Sequence, residues 1–572
     1  MKRSSPALVL LLSGVVLAAW TWGTWGDAQV DYGGEVYAAW RVSQGAALYR
    51  DVAYFTGPLS PWLNALWFKL FGVGIWTLYV VNLALAVLDT ALVYALVRRL
   101  ADRFTATAAG LVFLVLFAFG RFEYLNDSNY IAPYSHEVVH AMPLALGCLL
   151  LLARSPALAG ALFGLVFLTK AEYTLALGAA AGAQLVLSRA TVKAWGSFVA
   201  AALVAPLCAW AALCASLGAR EALLSVIGAW RYVFDTRITE LAFYKGVMGT
   251  NATGDNLVRM LEYAAAELLL LGACWFTARK MARTDALVAW IAGVALGPLL
   301  VWLVPLAKTG WLELARPWPL FAGAAALWLC VRAWKDRSQV PAAAFALFAA
   351  ALLAKMVLNS RVQMYGFALA LPATLLLVLL LFETAPRIVE RCGGSFVLAR
   401  ALGCGALLAF ALGHLRVMAD YQKIPSVWMG EGRDAFRVDG RGSIVAAALN
   451  ELHAKLKPGE SFVVLPEGVM LNYLARVPAP AKYINYMPPE LLMFGEPQMV
   501  ADLRAAAPAA IVLLHKNTGE YGFPWFGADY GRLFGQWINE SYSKGALFGD
   551  EPLRNGSRYG ARVLWRKDLG VR

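Results

Sequence analysis

The sequence predicts an α-helical polytopic membrane protein with a small α/β domain at its C-terminal end. Three observations predict this. Hydrophobic residues make up 60% of the 572 and charged residues 15%, with a mean hydropathy of +0.59, a balance foreign to soluble globules. Apolar runs that cross or nearly cross a bilayer recur through the first 418 residues. Beyond that point polar content becomes ordinary, and turn signals appear at Lys457-Pro458-Gly459 and Met487-Pro488-Pro489. The expected division is a multi-span catalytic domain at 1–418, with a first external loop at 26–73, and an extracytoplasmic α/β domain at 419–572.

The apolar runs lie at 6–25, 74–97, 104–120, 138–153, 156–169, 173–188, 194–216, 263–278, 286–306, 318–333, 341–357, 365–382 and 398–417, thirteen in all. The first follows Met1-Lys2-Arg3, ends in aromatics and lacks a small-residue cleavage site, so it is expected to remain as a signal anchor. Charge orients the array. With the N-terminus inside, the inner ends collect Lys2 and Arg3; Arg98, Arg99 and Arg103; Arg154; Arg189 and Lys193; Arg279, Lys280 and Arg283; Arg332, Lys335 and Arg337; and Arg387, Arg391 and Arg400. Only Asp102, Asp285, Asp336, Glu383 and Glu390 offset them, as positive-inside topology requires. Fusing the pair 156–169 and 173–188 into one re-entrant unit would invert everything downstream, so both count as spans. The first loop, 121–137, the Lys170 turn, 217–262, 307–317, 358–364 and the tail then share the outer face.

The net charge of +13 belongs mostly to these inner loops. Residues 420–572 hold 18 Lys and Arg against 16 Asp and Glu, with no basic stripe, which excludes a nucleic-acid partner. In the tail, short apolar stretches at 461–466 and 509–515 read as strands, among helical patterns near 442–456, 497–506 and 529–541. No cysteine follows Cys404, so the tail has no disulfide framework. The sequons at Asn251, Asn539 and Asn555 carry no weight without a eukaryotic secretory host.

The most informative stretch is 27–72, DAQVDYGGEVYAAWRVSQGAALYRDVAYFTGPLSPWLNALWFKLFG. It sets Asp27, Asp31, Glu35 and Asp51 just past a membrane helix, where acids are costly unless used. Asp31 and Glu35 stand one helical turn apart, able to share a pocket as catalytic carboxylates that take a proton from an attacking hydroxyl. The competing reading is that Asp31 only caps an interfacial helix. Residues 62–71 form an aromatic amphipathic segment suited to the interface and its lipids. A second costly group, Lys170 and Glu172, falls in GLVFLTKAE between two short apolar runs. Arg316 and Arg361 occupy similar depths and suit bidentate phosphate recognition, or merely reach for headgroups. Asp89, inside the second span, is expected to bond a neighbouring helix.

A rival motif is His136-Glu137-Val138-Val139-His140, an H-E-x-x-H that on a helix presents two imidazoles to zinc beside a glutamate base. It would make the chain a membrane zinc metallopeptidase, although no third-ligand motif accompanies it.

The order of first span, acidic loop DYGGEVYAAWRVSQGAALYRD, turn TGPL, amphipathic LNALWFKLFG and second span resembles the GT-C superfamily of integral membrane glycosyltransferases. That superfamily includes protein O-mannosyltransferases, the aminoarabinose transferase of lipid A and bacterial proteins with an RgtA/B/C/D-like domain. The resemblance covers roughly 1–385 in architecture and is concentrated at 27–72 and 156–173. It implies a multi-pass enzyme, in a bacterial inner membrane if the host is bacterial, moving a sugar from a polyprenyl-phosphate-linked donor to a lipid, glycan or protein acceptor on the outer face. It puts Asp31 in the catalytic carboxylate's place, with Glu35 beside it. His136, Glu137 and Glu172 would line the substrate pocket, and Lys170, Arg316 and Arg361 would hold the lipid phosphate. Mannosyltransferases of this kind carry adjacent Asp-Glu, whereas here Gly33-Gly34 precede Glu35, which leaves Glu35's part and a divalent metal open.

Overall fold

The computed structural model describes residues 5–124, 128–303 and 313–570, so the expected loop at 307–317 lies largely outside the described residues. Every predicted apolar run falls on a helix to within a few residues, as far as each is described. Among the described residues six helices are long and apolar enough to cross a membrane by length and composition: Ile75–Leu100, Val192–Leu217, Ala286–Leu303, Arg337–Met356, Gly366–Arg391 and Phe396–Tyr421. Five shorter apolar helices accompany them, Pro6–Thr21, Arg103–Ala118, His136–Leu151, Pro156–Phe167 and Ala171–Leu187. The chain is a multi-pass membrane protein of mostly helical fold with a small C-terminal sheet domain.

The pair at 156–187 is two helices, joined at Leu168–Lys170. Small residues let the first of them approach its neighbour. A Cβ on Gly160 or Gly164 would lie 2.1 Å from the Phe198 carbonyl or 2.3 Å from that of Ala202 on Val192–Leu217, the small-xxx-small packing that replaces hydrophobic drive within lipid.

At one end of the bundle, two of the predicted basic residues tie neighbouring helices together. Arg400 pairs with Asp102 at 2.6 Å and Glu383 at 2.9 Å, and Arg99 donates to the Leu150 carbonyl at 2.6 Å. The opposite end carries the first loop and the C-terminal domain. That loop folds into helices Tyr32–Ser43 and Leu59–Phe71. The second buries Ser60, Asn64, Ala65 and Phe68 while Leu66, Leu70 and Phe71 stay exposed, an interfacial pattern.

After the helix Phe396–Tyr421, a hairpin of β1 (Val427–Met429) and β2 (Phe436–Val438) precedes a four-stranded sheet. The sheet is built from β3 (Phe462–Leu465), β4 (Ala510–Leu514), β5 (Tyr542–Gly549) and β6 (Gly560–Arg566), in the order β3-β4-β6-β5. β3 and β4 are the two predicted strands, and they pair in parallel with Leu465 opposite Leu513. The domain is fastened to the membrane part by polar contacts. Arg441 bonds Asp27, and also Asp439 at 2.7 Å. The Trp76 indole donates to the Ala435 carbonyl at 2.7 Å, and the Ile75 N–H to Asp434 at 3.0 Å. One hydrophobic core runs without interruption from the helices through Tyr32, Val36 and Trp40 to Met470, Val464 and Trp565.

Candidate active site

Between the first loop, the membrane helices and the C-terminal domain lies a cavity of about 680 Å³. Of the predicted residues it brings together Asp31, Lys170 and Glu172, joined by Thr56 and Tyr134. A small side chamber of about 50 Å³ shares Asp31 and Lys170 and adds Glu35 and Glu137.

The first loop's four acids separate by what they touch. Asp27 is taken up by Arg441 and by the N–H groups of Gln29 and Val30 at 2.9 and 2.8 Å. Asp51 pairs with Arg50 at the surface, at 2.8 Å. Asp31 and Glu35 remain at the cavity. Asp31 does precede the helix Tyr32–Ser43, but its side chain makes no capping hydrogen bond. Its backbone is instead the centre of a tight turn. With φ 58° and ψ −68°, and the Tyr32 N–H donating to the Val30 carbonyl at 2.7 Å, it forms the strained three-residue γ-turn. Such a conformation costs roughly 1–3 kcal/mol and persists only where surrounding contacts hold it. Gly33, the departure noted above, has a packing reason: a Cβ there would stand 2.7 Å from that of Met470 in the C-terminal domain.

Glu35 is buried and faces His136, whose Nδ1 is 3.2 Å from its Oε2, with the Tyr54 hydroxyl at 3.5 Å. Burial and then the Glu137 charge push the Glu35 carboxyl well above its ordinary range, against the opposing pull of Lys170. A carboxyl raised in this way favours its protonated, hydrogen-bond-donating form and is the weaker candidate for a base. Glu137 accepts from the Tyr54 and Thr56 hydroxyls.

The two motifs of the resemblance meet in space. The Thr56-Gly57-Pro58-Leu59 turn docks on the Lys170 turn, Gly57 N–H to the Thr169 carbonyl at 3.0 Å and Leu59 N–H to that of Leu168 at 3.1 Å. A Cβ on Gly57 would lie 2.1 Å from the Leu168 carbonyl oxygen, so the contact needs glycine. Glu172 is paired by Lys355 at 2.7 Å. The Lys170 ammonium lies 5.9 Å from the Tyr134 and Tyr365 ring centres, with no carboxylate in salt-bridge contact among the described residues. It is thus a cation facing a cavity, open to an anion.

The remaining predictions lie elsewhere. Arg316 does not line the cavity; it pairs with Glu313 and donates to Asn256 at 3.2 Å. Arg361 also stands outside the lining, in the field of Glu123, with burial holding its guanidinium below its ordinary range. The H-E-x-x-H segment opens the helix His136–Leu151, its rings stacked 6.0 Å apart. His136 is engaged by Glu35 and Asn82, and His140 by Ser60 at 2.8 Å. Among the described residues no three of His, Cys, Asp and Glu converge as a metal site requires.

The sequence reading missed the C-terminal wall, where Glu467, Asn485, Glu490, Lys516 and Tyr521 face the cavity. One signal was available. Glu467 and Lys516 each stand two residues past the end of a predicted strand, and the C-terminal ends of parallel strands are where ligand crevices form.

Residues 56–212 match the family model for dolichyl-phosphate-mannose-protein mannosyltransferases. The resemblance to GT-C membrane glycosyltransferases is borne out. The matched stretch includes Thr56, His136, Glu137, Lys170 and Glu172 and begins after Asp31 and Glu35. No curated protein matches the chain in sequence. Solved structures resemble it in fold, among them two bound to lipid phosphates. The archaeal oligosaccharyltransferase AglB from Archaeoglobus fulgidus, in complex with an inhibitory peptide and a dolichol-phosphate, is 12% identical with a TM-score of 0.45, over 100% of this chain and 75% of that one. ArnT from Cupriavidus metallidurans bound to undecaprenyl phosphate is 14% identical with a TM-score of 0.44, over 97% of each chain.

Proposed function

We propose that the chain transfers a sugar from a polyprenyl-phosphate-linked donor to an acceptor hydroxyl on the extracytoplasmic face, in one inverting displacement. The observation that carries the reading is the shared cavity of Asp31 and Lys170, within reach of lipid. Its walls continue into Leu175, Val247, Met248 and Ala351, apolar surface suited to a polyprenyl chain. The matched family is named for a dolichyl-phosphate-linked sugar, which supports the same donor class.

In this reaction the acceptor oxygen bonds the anomeric carbon while the bond from that carbon to the phosphate oxygen breaks. The phosphate leaves with the electron pair, and Asp31 takes the acceptor's proton. Lys170, with no carboxylate in salt-bridge contact among the described residues, offsets the charge growing on the departing phosphate. Glu35 and Glu137, tied to Tyr54, Thr56 and His136, orient the sugar or acceptor at the side chamber. Arg316 has no part in this scheme, since its charge is spent on Glu313.

The test compares glycolipids, glycans and envelope proteins, by mass spectrometry, between a strain lacking the chain and the same strain supplied with it. One glycosylated species is expected to vanish and return. Asp31→Asn keeps the volume and removes the proton acceptor, so it should insert normally and lose about 100-fold or more of transfer. Near-normal product from that variant sinks the assignment of the base, and Glu35→Gln should be milder.

A further inference from the structure

Asp31 is the centre of a strained turn, and something must hold it there. Tyr32–Ser43 fixes only the residues that follow it. The N–H of Asp31 points away from its own loop and finds its acceptor 436 positions along the chain, at Glu467 Oε1, 3.2 Å away. Glu467 is itself fixed. It is buried, and Lys516 Nζ approaches its second oxygen at 2.9 Å. Its backbone carbonyl also accepts from Gln29 Nε2 at 3.4 Å, just before the turn.

The sheet explains why these groups meet. β3 and β4 run side by side in parallel. Glu467 leaves the end of one and Lys516 the same end of the other, so the two side chains emerge as neighbours facing the first loop. Lys516 sits between carboxylates. Burial acts against its charge, but Glu467 and then Asp31 outweigh it and hold the ammonium above its ordinary range.

We propose that Glu467, anchored by Lys516, is a positioning residue of the C-terminal domain that holds the Asp31 turn so that its carboxylate faces the reacting hydroxyl. The inference rests on the reading of Asp31 as the base. It makes the soluble domain part of the active site: without it the turn relaxes, and the carboxylate swings off the line of attack.

Two double variants isolate the hydrogen bond. Glu467→Gln/Lys516→Met keeps an oxygen for the Asp31 N–H, whereas Glu467→Met/Lys516→Met fills a similar volume without one. Both remove the Glu467 charge together with the Lys516 cation, so neither leaves one member of that ion pair behind, and any effect on Asp31 of losing the cation is common to the two. Each is produced as the full chain in the deletion strain, and product is measured per amount of folded protein in the membrane. The Gln variant lacks the Lys516 anchor and should yield less product than wild type. The Met variant should fall about 10- to 100-fold below the Gln variant, the loss expected when a reacting group is misplaced by an ångström. Equal product from the two overturns the inference. So does a Met variant that cannot be isolated folded while the Gln variant can, since Glu467 would then serve stability alone. Failure of the functional reading looks different: wild type yields no product, or Asp31→Asn matches it.

Discussion

At the scale of single residues, burial sorts acids that composition cannot tell apart. Asp27, Asp51 and Glu172 are matched by Arg441, Arg50 and Lys355, while Glu490 projects into the cavity with its Oε2 unpartnered among the described residues. Burial pushes its carboxyl up to about 7. A raised carboxyl pKa means that folding favours the protonated form. This contribution is therefore complete below the ordinary carboxylate range and is lost as pH rises through about 7. It amounts to something on the order of 3 kcal/mol. Glu490→Gln, which cannot ionise, should melt with wild type near pH 5 (about the ordinary carboxylate range) and above it by pH 8 (about one unit past the shifted value). Thermal unfolding of the detergent-solubilised chain across that window checks this, and a difference that does not vary with pH refutes it.

At the scale of elements, one helix decides between two chemistries. The first turn of His136–Leu151 has the spacing of a zinc-binding helix, yet both ring nitrogens of His136 are engaged, by Glu35 and Asn82, and His140 Nδ1 by Ser60. The same turn aims Glu137 at hydroxyls of the 54–56 segment, beside the turn that docks on Lys170. The helix thus serves as a scaffold for the side chamber. Purified protein should lack stoichiometric zinc by metal analysis, and His140→Ala should retain far more transfer than Asp31→Asn. About one tightly held zinc per chain, lost together with activity in His140→Ala, would transfer the chemistry to a metallopeptidase.

At the scale of the whole molecule, the first loop, the Lys170 turn and the C-terminal domain meet around one cavity. The lining also draws on Glu123, Ser128 and Tyr134, on Tyr244 and Met248, and on Lys355 and Tyr365. If the basic end faces the cytoplasm, reporters fused after Arg121, Lys245 and Glu431 should read the outer compartment, and those after Arg103, Arg283 and Arg337 the cytoplasm. A cytoplasmic signal at Glu431 would place the C-terminal domain, and the cavity it closes, on the wrong side for the proposed donor and acceptor.

By itself the sequence determined the helices, because lipid demands long apolar segments whose backbone bonds internally, a requirement visible in any window of about 20 residues. It also marked 27–72 and the Lys170 turn, since charge beside a membrane is conspicuous against an apolar background. It showed β3 and β4 as short apolar runs but not β5 or β6. β5 is a sheet edge whose Ser543 and Lys544 are exposed, so no apolar run announces it. Only the tertiary structure decided which charges remain for chemistry. Arg316 and Asp27 look as available as Lys170 until Glu313 and Arg441 are found against them. The C-terminal wall was hidden for the same reason. Whether a charge is spent or kept depends on partners hundreds of residues away, and no local pattern of residues records them.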